Sequence, residues 1–227
     1  METKEIKFQK THLKEIGSTN TYLQESDKDR HLPEGTIIYC DIQRSGRGQR
    51  GNSWESEPYK NLTFSLLLRP EHIPANRQFL LSEIVSLATV DVLNRYATGF
   101  SIKWPNDIIM SGKKVCGILT EMSAQFDYVN HIVVGIGINV QNKSFPKDIE
   151  SVATSLFIET KEHYHRAKLV ERIWEAFEHY YEIFLQTEDL SGLVNEYNSH
   201  LVNMHQQVKV LRNRLRVKPW ESRQKEN

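Results

Sequence analysis

His131-Ile132-Val133-Val134-Gly135-Ile136-Gly137-Ile138-Asn139-Val140 is the stretch whose reading decides the fold. Ile132, Val134, Ile136, Ile138 and Val140 recur at every second position, the period of a β-strand with one face on a core. The other face carries Val133, Gly135, Gly137 and Asn139. Two successive glycines on one face leave bare backbone where side chains would stand off the sheet. That suits either a closely packed helix or a flat ligand, with the Asn139 amide at its end. Working outward, Val115–Ser123 and Tyr128–Val140 read as neighbouring strands with Asp127 near their turn, and Phe100–Trp104 and Ile108–Met110 as two more. Ser111-Gly112-Lys113 forms a tight turn before Val115. Upstream, His12–Ile16, Thr36–Gln43 and Asn61–Arg69 are strand-like, with Leu62, Phe64, Leu66 and Leu68 on one face.

Helical spacing is clearest in Gln78–Tyr96, where Leu80, Ile84, Leu87 and Val85, Ala88, Val92 form an apolar stripe. Ala167–Leu185 and Leu190–His200 follow as helices. The polar run Gly17-Ser18-Thr19-Asn20 caps a short helix over Thr21–Glu25, because these side chains accept from free helical N–H groups. Consecutive strands pairing as hairpins, with helices on one face, give an α+β class with a mixed, mostly antiparallel sheet.

The 227 residues suit one domain with a small appendage, and no internal repeat is present. Twenty-nine basic residues balance 29 acidic ones, which argues against a general nucleic-acid coat. No apolar run approaches a membrane span. Cys40 and Cys116 lack CxxC or Cys/His spacing, and the Met1-Glu2-Thr3-Lys4-Glu5 start has no apolar core of a signal peptide. A cytoplasmic protein without a disulfide framework is expected. The 9 histidines show no metal-ligand spacing, and no GxSxG elbow or Cys–His nucleophile stands out.

Two segments carry charge chemistry. Gln43-Arg44-Ser45-Gly46-Arg47-Gly48-Gln49-Arg50-Gly51 leaves a strand and opens a long loop, Arg44–Tyr59. Glycines let backbone N–H groups approach an anion and arginines supply forked donors. A solvated loop or an RGG-like nucleic-acid segment reads equally from these residues; a Walker motif does not. Lys103-Trp104-Pro105-Asn106-Asp107 is turn chemistry, with Trp104 expected in the core. Lys114 opens a strand beside Gly135 and Gly137, where its charge could meet a carboxylate or phosphate. The spacing of Glu121 and Asp127 assigns no acid–base pair.

In order and spacing, Gly17–Asn20, Gln43 with Ser45–Gly48 and Trp54, Lys103–Asp107, Lys114–Glu121 and Gly135–Asn139 together resemble the biotin protein ligase family across about residues 10–205. The resemblance implies a catalytic domain akin to class II aminoacyl-tRNA synthetases, of the monofunctional type without an N-terminal DNA-binding domain. It implies activation of biotin as biotinoyl-5′-AMP with ATP and Mg²⁺, then transfer to a lysine of a biotin carboxyl carrier domain. Lys114 and Arg47 would be catalytic. Ser18, Thr19, Asn20, Gln43, Arg47, Gly48, Gln49, Lys114, Gly117, Gly135 and Gly137 would hold biotin. Arg47, Arg50, Trp54, Asn106 and Asn139 would face the nucleotide, and Asp107 would orient the basic groups. No protein metal ligands are implied. The partner would be the carrier domain, with no specific DNA and no membrane, and the chain a monomer or weak homodimer.

Three departures qualify this. Gln49 and Asn52 stand where the family often has arginines, which weakens the expected hold on the adenylate. Catalytic-type sequence begins almost at once, so repression is not expected. After about residue 205, a candidate strand Gln207–Leu211 leads into a basic tail, residues 206–227, read as the remnant of an SH3-like barrel. A lipoate or octanoyl ligase or transferase of the same superfamily, or a non-catalytic ligand- or RNA-binding module, are the alternatives.

Overall fold

Asn61–Leu68 is buried at every position, as a strand must be when both faces of its sheet are covered. In the computed structural model, which describes residues 6, 8–70, 73, 74, 77, 79–125, 128–187, 189–202 and 204, this strand (β5) sits inside a seven-stranded sheet. The other strands are β1 (Gln9–Ile16), β2 (Thr36–Gln43), β6 (Ser101–Lys103), β7 (Asp107–Met110), β8 (Lys113–Gln125) and β9 (Tyr128–Asn139). Their order is β1-β2-β5-β9-β8-β7-β6; β1 and β2 run parallel and every other pair is antiparallel. The mixed, mostly antiparallel α+β architecture is thus the one expected.

Period-two alternation assigns the two faces. Ile37, Leu62, Phe64, Leu66, Ile132, Val134, Ile136 and Ile138 point into the main core. Helix α2 (Phe79–Asn94) and helix α4 (Arg166–Thr187) cover it. Leu169, Val170, Ile173, Phe177, Tyr181 and Phe184 recur along α4 at three- and four-residue spacing and are all at most 2 % exposed. Helix α5 (Val194–His200) adds Tyr197 to the same core. Helix α1 (Thr19–Arg30) packs on the opposite face instead, where Leu23 joins Ile38, Leu67 and Val133 in a second small cluster. The expectation of helices on one face therefore holds for α2, α4 and α5 and is corrected for α1.

Several boundaries moved for tertiary reasons. Ser18 caps α1, accepting from the Thr21 N–H, but the helix runs on to Arg30 rather than stopping at Glu25. Its last turn is pinned by buried Asp27, which pairs with Arg69 and accepts from the Leu32 N–H at 2.8 Å. The loop Arg44–Tyr59 folds into a two-stranded hairpin, β3 (Gly46–Arg47) and β4 (Ser53–Trp54), closed by a 3₁₀ turn at Gln49–Gly51. A short helix, α3 (Leu156–Thr160), had no periodic signature; Ser155 caps it by accepting from the Ile158 N–H at 3.1 Å. Trp104 is 65 % exposed, not in the core. Ser111 and Gly112 both take positive φ in the β7–β8 turn, as a two-residue hairpin requires.

After α5, Leu201 bridges Ile102 in parallel and the Val202 N–H donates to the Ile102 carbonyl at 3.0 Å. The turn at Asp127, the helix start at Gln78, the strand Gln207–Leu211 and the tail 206–227 lie outside the described residues. Among those described, no helix is long and apolar enough to cross a membrane.

Candidate active site

The face opposite the main core is where side chains are small or missing. Gly137 of β9 pairs with Thr63 of β5 on one side and Gly117 of β8 on the other; Gly135 pairs with Ser65 and Leu119. Register, not sequence proximity, thus assembles a shallow trough floored by Gly117, Gly135, Gly137, Thr63 and Ser65. A Cβ added to Gly135 would lie 2.3 Å from Asn20 Oδ1, and one added to Gly137 would lie 2.4 Å from Trp54 Cε2. Both readings of the bare backbone find support: the start of α1 presses on Gly135, and the Trp54 ring lies against Gly137.

At the α1 end the polar groups are dense. Gln43 Oε1 accepts from the Thr19 N–H at 2.9 Å and lies 3.3 Å from Thr19 Oγ1. Ser65 Oγ is 2.5 Å from Asn20 Oδ1, to which it donates, and 2.7 Å from Thr19 Oγ1. Asn20 Nδ2 donates to Glu121 Oε2 at 2.8 Å and contacts the Leu119 carbonyl at 3.4 Å. Thr19, Asn20 and Ser65 are nearly inaccessible, so every one of these bonds exchanges water for protein.

Two cations border the trough. Lys114 Nζ is 2.6 Å from Asp107 Oδ1 and 5.5 Å from the centre of the Trp54 ring. Its backbone is fixed as well: the Lys114 N–H donates to the Val152 carbonyl and its carbonyl accepts from the Thr154 N–H. Arg47, carried by the small hairpin, reaches Glu121 Oε2 through Nη2 at 2.8 Å. Asn106 donates to the Ile118 carbonyl at 2.8 Å, which ties the β6–β7 turn to the trough edge. Each cation therefore has one carboxylate partner and remains partly exposed, 36 % for Lys114 and 46 % for Arg47. That arrangement orients positive charge toward a cavity without burying it unpaired.

A cavity of about 50 Å³ is lined by Asn20, Gln43, Arg47, Gly48, Gln49, Trp54, Asn106, Lys114, Gly117, Gly135 and Gly137, with Thr63 and parts of β8 and β9. The structure thus brings together eleven of the residues singled out from sequence. Thr19 stands just behind the lining, bonded to Gln43. Ser18 is spent on capping α1. Asn139 is turned away: its amide donates to the Thr154 carbonyl at 2.9 Å and accepts from Asn61 Nδ2 at 2.8 Å, inside a buried network with Asn142. Arg50 lies in the 3₁₀ turn, and its side chain is outside the described part. Thr63, Ser65 and Glu121 were missed. Alternation along single strands could have placed Glu121 with Gly117, and Thr63 with Ser65, but only the register joins those strands.

Neither thiol among the described residues is set up as a covalent nucleophile. Burial pushes the thiols of Cys40 and Cys116 up, away from the reactive thiolate. Among the described residues no three His, Cys, Asp or Glu side chains converge as metal ligands. What the arrangement offers is an anion-binding edge, a floor of bare glycine backbone and a wall of amides and hydroxyls. Trp54 Nε1 is buried there without a hydrogen-bond partner, a cost that a ligand or water could relieve.

Residues 13–139 match the Biotin/lipoate A/B protein ligase family. The chain is 38% identical over 161 residues to the bifunctional ligase/repressor BirA of Bacillus subtilis, covering 69% of this chain and 49% of that protein. It is 30% identical over 148 residues to the biotin–[acetyl-CoA-carboxylase] ligase of Mycobacterium tuberculosis, covering 63% and 52%. The chain spans about half the length of the curated relatives it matches. Among solved structures, the biotin protein ligase of Aquifex aeolicus in complex with biotin and ATP superposes with a TM-score of 0.73 at 30% identity, over 85% of this chain and 78% of that one.

Proposed function

Because the chain belongs to the biotin/lipoate A/B protein ligase family, we propose that it activates biotin with ATP as biotinoyl-5′-AMP and transfers it to a lysine of a biotin carboxyl carrier domain. The observation that carries this reading is the glycine-floored trough with amides and hydroxyls at the start of α1, Arg47 joined to them through Glu121, and Lys114 at its other edge. Biotin has the matching parts in the matching order: a ureido ring needing donors and acceptors, an apolar ring and chain, and a carboxylate.

The ureido ring lies toward Gln43, Thr19 and Asn20, and the apolar chain crosses Gly135, Gly137 and Gly117. Trp54 borders this path, its ring lying against Gly137. The carboxylate oxygen then attacks the α-phosphorus of ATP and pyrophosphate leaves, forming the mixed anhydride. Lys114 and Arg47 offset the negative charge that gathers as two anions meet, which is where fixed donors contribute most. Asp107 keeps Lys114 aimed along the trough edge rather than into solvent. In the second half-reaction the carrier lysine amine attacks the acyl carbon, AMP leaves, and no enzyme nucleophile takes part. Any Mg²⁺ would be held by the phosphate oxygens, since Asp107 pairs with Lys114 and no carboxylate cluster among the described residues is built to hold the ion. There it would supply further charge neutralisation.

Pyrophosphate exchange into ATP tests the reading. It should depend on biotin and be negligible with lipoate, whose dithiolane ring offers nothing to the amides and hydroxyls around Gln43. Equal exchange with lipoate would move the chain to the lipoate branch. Salt-sensitive RNA binding with no exchange would move it out of enzymology altogether.

A further inference from the structure

Glu121 is unexplained by this chemistry, since an acid beside an anion site opposes what the site must bind. It follows Gly117 and Leu119 on the trough face of β8, and its side chain is 24% exposed. A single oxygen, Oε2, accepts from both Asn20 Nδ2 and Arg47 Nη2, each at 2.8 Å. One carboxylate on the sheet therefore ties together the start of α1 and the glycine-rich hairpin. Asn20 is 3% exposed, and its other contacts, Ser65 Oγ and the Leu119 carbonyl, hold it against Gly135. The hairpin, by contrast, is only two residues per strand and brings little apolar surface of its own beyond Trp54. Lys114 has its own carboxylate in Asp107, so the two cations are aimed by two separate acids.

Resting on the ligase reading above, we propose that Glu121 is the positioning residue for Arg47: it fixes one edge of the guanidinium to the sheet so that the remaining N–H groups meet the biotin carboxylate and the α-phosphate. A guanidinium has five N–H donors in a rigid fork. The bond to Glu121 uses one of them, and the planarity of the group then sets the direction of the others. Through Asn20 the same oxygen joins Arg47 to the polar groups at the start of α1.

The test is a double-mutant cycle on biotin affinity, by calorimetry, with Glu121→Gln, Arg47→Met and both together. Gln keeps an acceptor for Asn20 while removing the charge that holds Arg47. Glu121→Gln should weaken biotin about fivefold when Arg47 is present, in line with a partly exposed ion pair, and less than about twofold when it is Met. Equal losses in both backgrounds, or no loss in either, would overturn the proposal. A second readout needs no ligand: trypsin should cut after Arg47 several-fold faster in Glu121→Gln, with cleavage after Arg44, which pairs with Glu15, unchanged. Unchanged cleavage at Arg47 would also overturn it. If wild-type protein binds no biotin, the ligase reading fails on its own, and the tryptic comparison still decides whether Glu121 anchors Arg47.

Discussion

Replacing Gly137 by alanine puts a methyl 2.4 Å from Trp54 Cε2, 2.6 Å from Nε1 and 2.7 Å from Cζ2. Carbon atoms in contact sit about 3.5–4.0 Å apart, so the overlap is on the order of 1 Å. The strand cannot retreat, because β9 is hydrogen-bonded to β5 and β8 on both sides at this position. Trp54 must move, and the β3–β4 hairpin moves with it. Overpacking of this kind costs about 1–3 kcal/mol; a hairpin at the surface relaxes more easily than a core, so the loss in stability belongs at about 1 kcal/mol. Biotin suffers more, because the methyl also stands in the trough its chain must cross. A loss of about 2 kcal/mol raises Kd about 30-fold. Urea unfolding measures the first quantity and calorimetric titration of biotin the second. Adding Trp54→Ala should return most of the stability and little of the affinity. Wild-type urea midpoint and wild-type Kd in Gly137→Ala would refute the argument that ligand and indole share this bare backbone.

Lys114→Ala should lower biotin-dependent pyrophosphate exchange by on the order of 3 kcal/mol, roughly 100-fold, while calorimetric biotin affinity falls far less; wild-type exchange would return Lys114 to the status of a solvated hairpin residue. The loop Arg44–Tyr59 should lose its tryptic sites at Arg44, Arg47 and Arg50 when biotin and ATP are present, and identical digestion with and without them would deny it a closing role. Glu83, 8% exposed on α2, has its carboxyl pushed up to about 7 by burial, partly offset by a hydrogen bond with Trp104. The folded state then holds a proton that the unfolded chain has released, so stability should fall as pH rises from about 4.5 to 7, by up to about 3 kcal/mol. Glu83→Gln should flatten that slope and be the more stable protein at pH 8; identical urea midpoints for the wild type at pH 5 and pH 8 would contradict it. Gln49→Arg with Asn52→Arg should reduce the adenylate lost to solution in single-turnover transfer, and an unchanged loss would show that these positions do not govern retention.

The strands were legible wherever alternation was long. Thr36–Gln43 ends where the sequence places it, and the two faces of β9 are the ones its isoleucines and glycines dictate. Short and tertiary-dependent pieces were not legible. Two-residue strands such as Gly46–Arg47 have no period, and α1 extends through Glu25–Arg30 because Arg69, forty-two positions away, holds Asp27. The site divides the same way. Lys114, Arg47 and Gln43 carry charge or amide chemistry in Gly-rich surroundings and could be picked out singly. Glu121, Ser65 and Thr63 matter only because β5, β9 and β8 lie side by side in one register. Asn139 looked available at the end of the glycine face, yet its amide is consumed by Asn61 and Thr154, contacts that connect distant segments.

Single-turnover labelling addresses the ligase assignment most directly. The protein is preloaded with biotin and ATP, a biotin carboxyl carrier domain is added, and mass spectrometry follows both the carrier and free biotinoyl-5′-AMP. The account predicts one biotinyl group on one carrier lysine, dependent on ATP and nearly abolished by Lys114→Ala, with some adenylate escaping past Gln49 and Asn52. Absence of both labelled carrier and adenylate from correctly folded wild-type protein would contradict it.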